Sequence, residues 1–583
     1  MSSEKKSKDL KDKYEKKQKA VEYYKENGVP QKMEAVLNLM FHEDPSDVYG
    51  YLANYFGQFS KSATFTKARA RLALDGKGQP AVQTDLYGMC RNREQVLCTS
   101  VNSNQNPGVL ENAKIEEKEA DDQERLKCLN ACIELINNDM SNRLQGVELC
   151  DQGKVDKVIS DLVSDLMAEE LAKQPEEEAE KGTEGDGLNP KEDPRSDSAK
   201  KPKSAKSKGK SQAVFVVPDE PKEKLHPGSS AVSALSRSAC TAAAVARDLP
   251  VYQHVSELRS GEISKSFKLP LPMVTIIQSG KSALGKLNCV KEFMIVPKPG
   301  VHMHTALQQI GNVYNNVVKN LYSKGGITAK NVNDIGALCP QFDRPEQGLD
   351  LLQEGINGAG LTPGEDIFIA INCAAHEIFD YEKGKYELFA GQQKIADDVV
   401  DFWVELLSRY PSVIALIDPF RKQEQEHWMR LCDQISDRCY IVGSNVYHRP
   451  GLLKDETLTE QFKTSGIAFK LEQMNTVSDI IECCKKMEED DNQIVISASH
   501  GESTDNILVE LAVGVNARFL KVGGPCRGER VSKLNYLLQI EDILEQAGKL
   551  AFHEDYVFPH IAPPPLSEPE EHTEEGLDKS EKK

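Results

Sequence analysis

The stretch from Ile494 to Leu544 constrains the fold more than any other. It reads IVISASHGESTDNILVELAVGVNARFLKVGGPCRGERVSKLNYLLQIEDIL. Ile494-Val495-Ile496 is a short apolar run ending in small polar residues, the signature of a buried parallel strand meeting a loop. Ile507, Leu508, Leu511 and Val515 follow at helix-face spacing. A second strand is expected over Arg518–Val522, carrying Lys521 and broken by Gly523-Gly524-Pro525. A second helix is expected from about Glu529 to Leu544. The same alternation runs back through the chain. LPLPMVTIIQSG, VKEFMIVP, IFIAINCAA, PSVIALIDPF, DRCYIVGSN and IAFKLEQ are successive apolar strands, each ending in polar or small residues. Such repetition predicts an α/β chain with a (β/α)8-type barrel over residues 269–560, whose sites lie where strands end.

The remaining sequence sets bounds. A chain of 583 residues supports several domains and a large core. Its net charge of -19 makes nucleic acid a poor partner. No apolar run reaches membrane-spanning length, and MSSEKKSKDLKDKYEKK lacks the apolar centre of a signal peptide, so a cytoplasmic protein is expected. The 14 cysteines sit mostly in apolar runs, such as Cys289, Cys373 and Cys483-Cys484, and read as reduced, buried thiols. Cys128 and Cys132 lack a partner pair and read as core-facing thiols rather than zinc ligands.

Three segments read as disordered. Residues 1–18 are rich in Lys and Glu and read as a frayed solvated helix or coil. Residues 174–230 open acidic and then carry six lysines between Lys200 and Lys210. The acidic tail is residues 561–583. Between the first of these and the larger domains, residues 19–60 form a helical hairpin. Met33, Val36, Leu37 and Met40 make one apolar face; Val48, Tyr51, Leu52, Tyr55 and Phe59 make a second. Two short helices cannot bury both faces alone, so a homodimeric four-helix bundle is expected, unless the hairpin packs on its own barrel.

Family resemblances sharpen these expectations. SASHGESTDNILVEL and LKVGGPCRGERVSKLNYLLQIED resemble the last two units of the enolase barrel, where the family reads close to SHRSGETEDTFIADL and IKTGAPxRSERxAKYNQLLRIEE. The resemblance spans most of the chain from about Ala68, and is strongest to a divergent enolase-like animal paralogue. ARLALDGKGQPAVQTDL is similar to the opening hairpin of the family, with Asp75, Gly78 and Pro80 kept and Lys77 where the family has Arg. An enolase-type α+β capping domain over residues 62–268 is thereby implied. Residues 19–60 resemble the docking-and-dimerisation module of the kinase-regulatory-subunit type, through Tyr24, Val29, Pro30, Leu37, Pro45, Asp47, Tyr51 and Leu52. Such modules bind an amphipathic helix of an anchoring protein and are common in cilia and flagella, which adds a cytoskeletal or flagellar location to the expectation.

The enolase resemblance implies interconversion of 2-phosphoglycerate and phosphoenolpyruvate with Mg²⁺, which takes oxygen ligands in octahedral geometry. Lys470 matches the family's proton acceptor, Lys521 the lysine on the substrate carboxylate, and Glu292 the glutamate beside the substrate. The three metal carboxylates, however, fall on Asn372, Ile417 and Ser444. Asp418 stands beside Ile417, but strand periodicity aims it elsewhere. The acid glutamate falls on Ile335, next to Asp334. The family's GGSHAG loop corresponds to Ser279–Gly285 without its His. Its GASTG loop is replaced by Ser100–Asn112, where Ser103 alone matches by position. The arginine that holds phosphate falls on Ser499, with His500 just after. Two readings result. One is an enolase-fold scaffold that docks through its hairpin and pairs with catalytic enolase subunits. The other is an active phosphopyruvate hydratase with Lys470 as base and Mg²⁺ on a different ligand set.

Overall fold

A computed structural model describes residues 2–103, 115–181, 228–447, 464–552 and 558–559. The expected disordered tail (561–583), most of the expected insertion (182–227) and most of the loop replacing GASTG (104–114) lie outside the described residues. Two compact units are present.

The first unit comprises residues 1–63 with 89–95. It holds three helices, α1 (Ser2–Glu26), α2 (Val29–Glu43) and α3 (Val48–Gly57). Of the helix or coil expected over residues 1–18, α1 is one continuous helix, and a third helix thereby joins the expected pair. Charged and polar residues at i, i+4 spacing support such a helix, as where Gln18 donates to the Tyr14 hydroxyl. Gly28, at φ 62°, breaks α1 from α2, and Pro30 fits the first turn of α2. Asp47 caps α3 by accepting the Gly50 amide at 2.9 Å. Of the expected apolar faces only Val36 is buried; Met33, Leu37 and Phe59 are exposed, as are Phe41 and Tyr49.

The second unit carries the capping elements and the barrel. A three-stranded sheet runs in the order β1 (Thr64–Leu74), β2 (Pro80–Cys90), β3 (Arg93–Asn102). Its first turn is fixed by Asp75, whose Oδ1 accepts the Lys77 and Gln79 amides at 2.9 Å each. Helices Ile115–Leu135, Gln152–Lys181, Ser230–Ala246 and Val251–Ser260 complete the cap. The expected insertion boundaries thus shift, because helix runs to Lys181 and resumes at Ser230. Asp156 links cap to barrel by accepting both the amide and the hydroxyl of Ser478, at 3.0 and 2.6 Å.

Eight strands close the barrel: Leu271–Gln278, Glu292–Pro297, Ile367–Asn372, Val413–Ile417, Tyr440–Gly443, Gly466–Lys470, Gln493–Ser497 and Phe519–Gly523. They are the first to eighth barrel strands below. The second is antiparallel to both its neighbours, and the other pairs are parallel. The order therefore opens with two strands and then two helices (Met303–Gly325 and Pro345–Gly358) before the third strand, rather than with a uniform βα repeat. The link from Gln278 to Glu292 holds only the short 3₁₀ turn Gly280–Ser282, and the second strand returns antiparallel to the first.

Strand alternation then decides which side chains face inward. The barrel interior is a cluster including Met273, Met294, Ala370, Ala415, Val495 and Phe519, closed by Phe558. A second, larger apolar layer lies between strands and helices and includes both tryptophans, Trp403 and Trp428. Among the described residues no helix is long and apolar enough to cross a membrane.

Candidate functional site

Moving two residues from each interior side chain toward the strand end gives the inward positions at the mouth. They are Thr275, Glu292, Asn372, Ile417, Ser444, Lys470, Ser497 and Lys521. Glu292 opens its strand rather than ending it, and reaches the same rim only because that strand is antiparallel. Register confirms the ring: Glu292 lies level with Asn372, Asn372 with Ile417, Lys470 with Ser497, and Ser497 with Lys521.

Glu292 is the hub. Its Oε1 accepts from Lys521 Nζ and Asn372 Nδ2, each at 2.7 Å, and its Oε2 accepts from Thr275 Oγ1 at 2.7 Å. Burial pushes this carboxyl up, but the Lys521 charge and the hydrogen bonds from Lys521, Thr275 and Asn372 outweigh it and hold the pKa at about 2. Three further cations ring the mouth. Lys291 is ion-paired with Glu377, Lys77 with Asp334 at 2.8 Å, and Lys470 has no hydrogen-bonded side-chain partner among the described residues. Burial lowers the Lys470 pKa below the ordinary ammonium value; Glu472 opposes that shift, and Lys521 and Lys291 add to it.

His500 stands at the solvent-exposed rim. The charge on Lys470, then crowding by protein, then Lys291, Lys521 and Lys77 push its imidazole well below the usual value. It is therefore neutral near pH 7 and offers no cationic substitute for the arginine missing at Ser499. Ser499 itself donates its hydroxyl to Glu472.

Ile417 is 2% exposed and packed in the barrel interior, with no donor oxygen on its side chain. Asn372 already donates to Glu292. The Asp418 carboxylate is occupied by the Ser444 and Asn445 amides, which it accepts at 2.7 and 2.8 Å. It fixes the loop after the fifth strand rather than ligating. Ile335 is likewise buried, with its carbonyl accepting the Gly524 amide. Gly336 beside it has φ 78°, and a Cβ there would lie 2.2 Å from the Cys526 carbonyl oxygen. Apolar packing thus occupies two positions where the resemblance implies carboxylates. Among the described residues no group of three or more His, Cys, Asp or Glu is arranged to hold a metal. The residues present do not fit the family's Mg²⁺ site.

The structure brings Glu292, Lys470, Lys521, Asn372 and Ile417 to one mouth, with Ser444 at the adjacent strand end. Sequence reasoning missed Lys291, Glu377 and Thr275. Lys291 was findable, since it directly precedes Glu292 where the family has glutamine. Thr275 carried no signal beyond strand parity.

Comparison with known proteins agrees with this architecture. Residues 266–556 match the family model for the enolase C-terminal TIM barrel domain. Over the longer chain, "Enolase 4" of Xenopus laevis is 35% identical over 556 residues, covering 94% of this chain and 96% of the relative. "Enolase 4" of Homo sapiens is 34% identical over 565 residues, covering 93% and 90%. "Enolase 4" of Danio rerio is 33% identical over 543 residues, covering 92% of each chain.

Proposed function

The chain belongs to the enolase family, and from that premise we propose that it is a scaffold of that family rather than a competent metal-dependent lyase. The observation that carries the proposal is the mouth itself: Asn372, Ile417 and Ser444 replace three carboxylates, and Ile417 is sealed in the barrel interior. The family's chemistry removes a weakly acidic proton beside a carboxylate, and a doubly charged intermediate must then be stabilised. That stabilisation comes from metal charge, and removing it forfeits several powers of ten in rate.

The scaffold role rests on the first unit. Its exposed apolar faces fit association with a second copy and with an amphipathic helix of an anchoring protein. In this reading residues 19–60 dock the chain, the barrel pairs with catalytic enolase subunits, and glycolytic activity is held at a cytoskeletal or flagellar site.

The rival reading is an active phosphopyruvate hydratase. It is favoured by Lys470, whose buried ammonium is pushed toward the neutral form that a base requires. One experiment decides between them. Phosphoenolpyruvate formation is followed for the purified full-length chain, free of other enolases and with excess Mg²⁺, against Lys470→Ala. The scaffold reading expects no turnover above background in either protein. Turnover that Lys470→Ala abolishes would overturn it.

A further inference from the structure

Among the lysines at the barrel mouth, Lys470 is the one with nothing to bond. Lys521 donates to Glu292 at 2.7 Å, and Lys291 is paired with Glu377. Lys470 lies level with Ser497, and Ser497 lies level with Lys521. Its backbone amide donates to the Gln473 side chain at 2.7 Å, but its Nζ has no hydrogen bond or ion pair among the described residues. The groups around it are committed elsewhere. The Ser497 hydroxyl donates to the Ala498 carbonyl at 3.3 Å, Glu472 accepts the Ser499 hydroxyl, and Glu292 already accepts three hydrogen bonds. Lys470 is also only half-buried, whereas Ile417 on the fourth strand is sealed in the interior.

An ordinary lysine is a poor nucleophile near pH 7 because a proton occupies its lone pair. At this position crowding by protein favours the uncharged amine; Glu472 and Glu292 oppose that, and Lys521 and Lys291 add to it. Glu292 and Glu377 hold those two neighbouring ammonium groups in place beside it. A desolvated amine next to other cations is the setting in which lysine attacks carbonyl carbon.

We propose that Lys470 is a nucleophilic amine that forms an imine with the carbonyl carbon of a small aldehyde or 2-oxo acid. The lone pair on Nζ attacks that carbon, a C–N bond forms, and the electron pair of the C=O double bond moves to oxygen. Both amine protons then leave with that oxygen as one water, and C=N replaces C=O. The step needs no metal, oxidant or reductant. The resulting imine acidifies a proton on the adjacent carbon. The proposal goes beyond the scaffold reading and holds whether or not the barrel interconverts 2-phosphoglycerate and phosphoenolpyruvate.

The test is reductive trapping. The full-length chain is incubated with glycolaldehyde or, separately, with pyruvate in the presence of cyanoborohydride, and alkylated lysines are mapped by peptide mass spectrometry. At pH 7, Lys470 should be alkylated at least about tenfold faster than the exposed Lys385. Labelling by glycolaldehyde alone assigns an aldehyde site, and labelling by pyruvate assigns a 2-oxo acid site. Lys291→Met removes a neighbouring cation and should slow alkylation of Lys470 without changing that of Lys385. If Lys291→Met does not fold, the pH profile of the wild-type chain replaces it: alkylation of Lys470 should level off at a lower pH than that of Lys385. Alkylation of Lys470 no faster than that of Lys385 with either carbonyl compound overturns the proposal. So does an advantage of Lys470 that a folded Lys291→Met leaves unchanged.

Discussion

Glu292→Gln is the substitution whose consequence the structure specifies most fully. The wild-type carboxylate accepts three hydrogen bonds, one of them from the ammonium of Lys521, and it is 2% exposed. Its folded pKa of about 2 lies below the ordinary 4.5. At 1.36 kcal/mol per pKa unit, that gap is worth roughly 3 kcal/mol of stability near pH 7. The sign follows from the depression: the contribution is fully present above about 4.5 and is lost as pH falls toward 2. By pH 3.5, roughly 1–1.5 kcal/mol of it should be gone. Glutamine keeps the shape but removes the charge and leaves Lys521 without its ion-pair partner, so a loss of about 2–3 kcal/mol is expected at pH 7.

The assay follows from the packing. The chain has two tryptophans, both buried against the barrel, so urea unfolding read by tryptophan fluorescence reports the barrel. Glu292→Gln, Lys521→Met and the double variant complete a cycle, and a coupling of about 2 kcal/mol is expected between them. The gap between wild type and Glu292→Gln should narrow as pH falls from 7 to 3.5. A coupling under about 0.5 kcal/mol, or a gap that does not change with pH, would refute the reasoning, since an ionised hub cannot be inert to both tests.

Two further outcomes are expected. Asp418→Ala removes the acceptor of the Ser444 and Asn445 amides and puts alanine at φ 50°; a loss of about 2–3 kcal/mol is expected, with faster hydrogen exchange confined to residues 444–446. A fragment of residues 1–63 should sediment as a dimer, and Leu37→Glu, at a site 54% exposed in the single chain, should make it monomeric; a monomeric parent fragment would remove the support for docking through this unit.

Most of the fold was readable because strand signals in this chain are nearly pure. Ile367–Asn372 is apolar until its last residue and Gln493–Ser497 is apolar between its two ends, so both the strands and their functional ends could be placed. The antiparallel second strand was not readable as such. VKEFMIVP has the same apolar pattern in either direction, and the thirteen residues that link Gln278 to Glu292 suit a return strand or a crossover alike. Over residues 1–18 the Lys/Glu-rich sequence suits both a solvated helix and coil; composition does not separate the two. Motif position pointed to Lys470, Lys521 and Glu292, which strand register brings to one mouth. What motifs do not carry is who bonds to whom.

The electrostatics of the mouth explain how such a barrel stands without its carboxylates. Deleting three negative charges from a ring that keeps two lysines, and adding Lys291, should leave a repulsive rim. Instead, the cations are neutralised locally: Lys521 on Glu292, Lys291 on Glu377 and Lys77 on Asp334. The two positions that cannot be paired, Ile335 and Ile417, are apolar and buried, so they present nothing to be satisfied. Lys470 is left without a bonded carboxylate, and burial shifts it toward the neutral form. A metal-dependent site that had merely lost its ligands would carry orphaned charge. Here Lys521, Lys291 and Lys77 each have a carboxylate partner, and Lys470 alone of these four lysines is accommodated by burial instead.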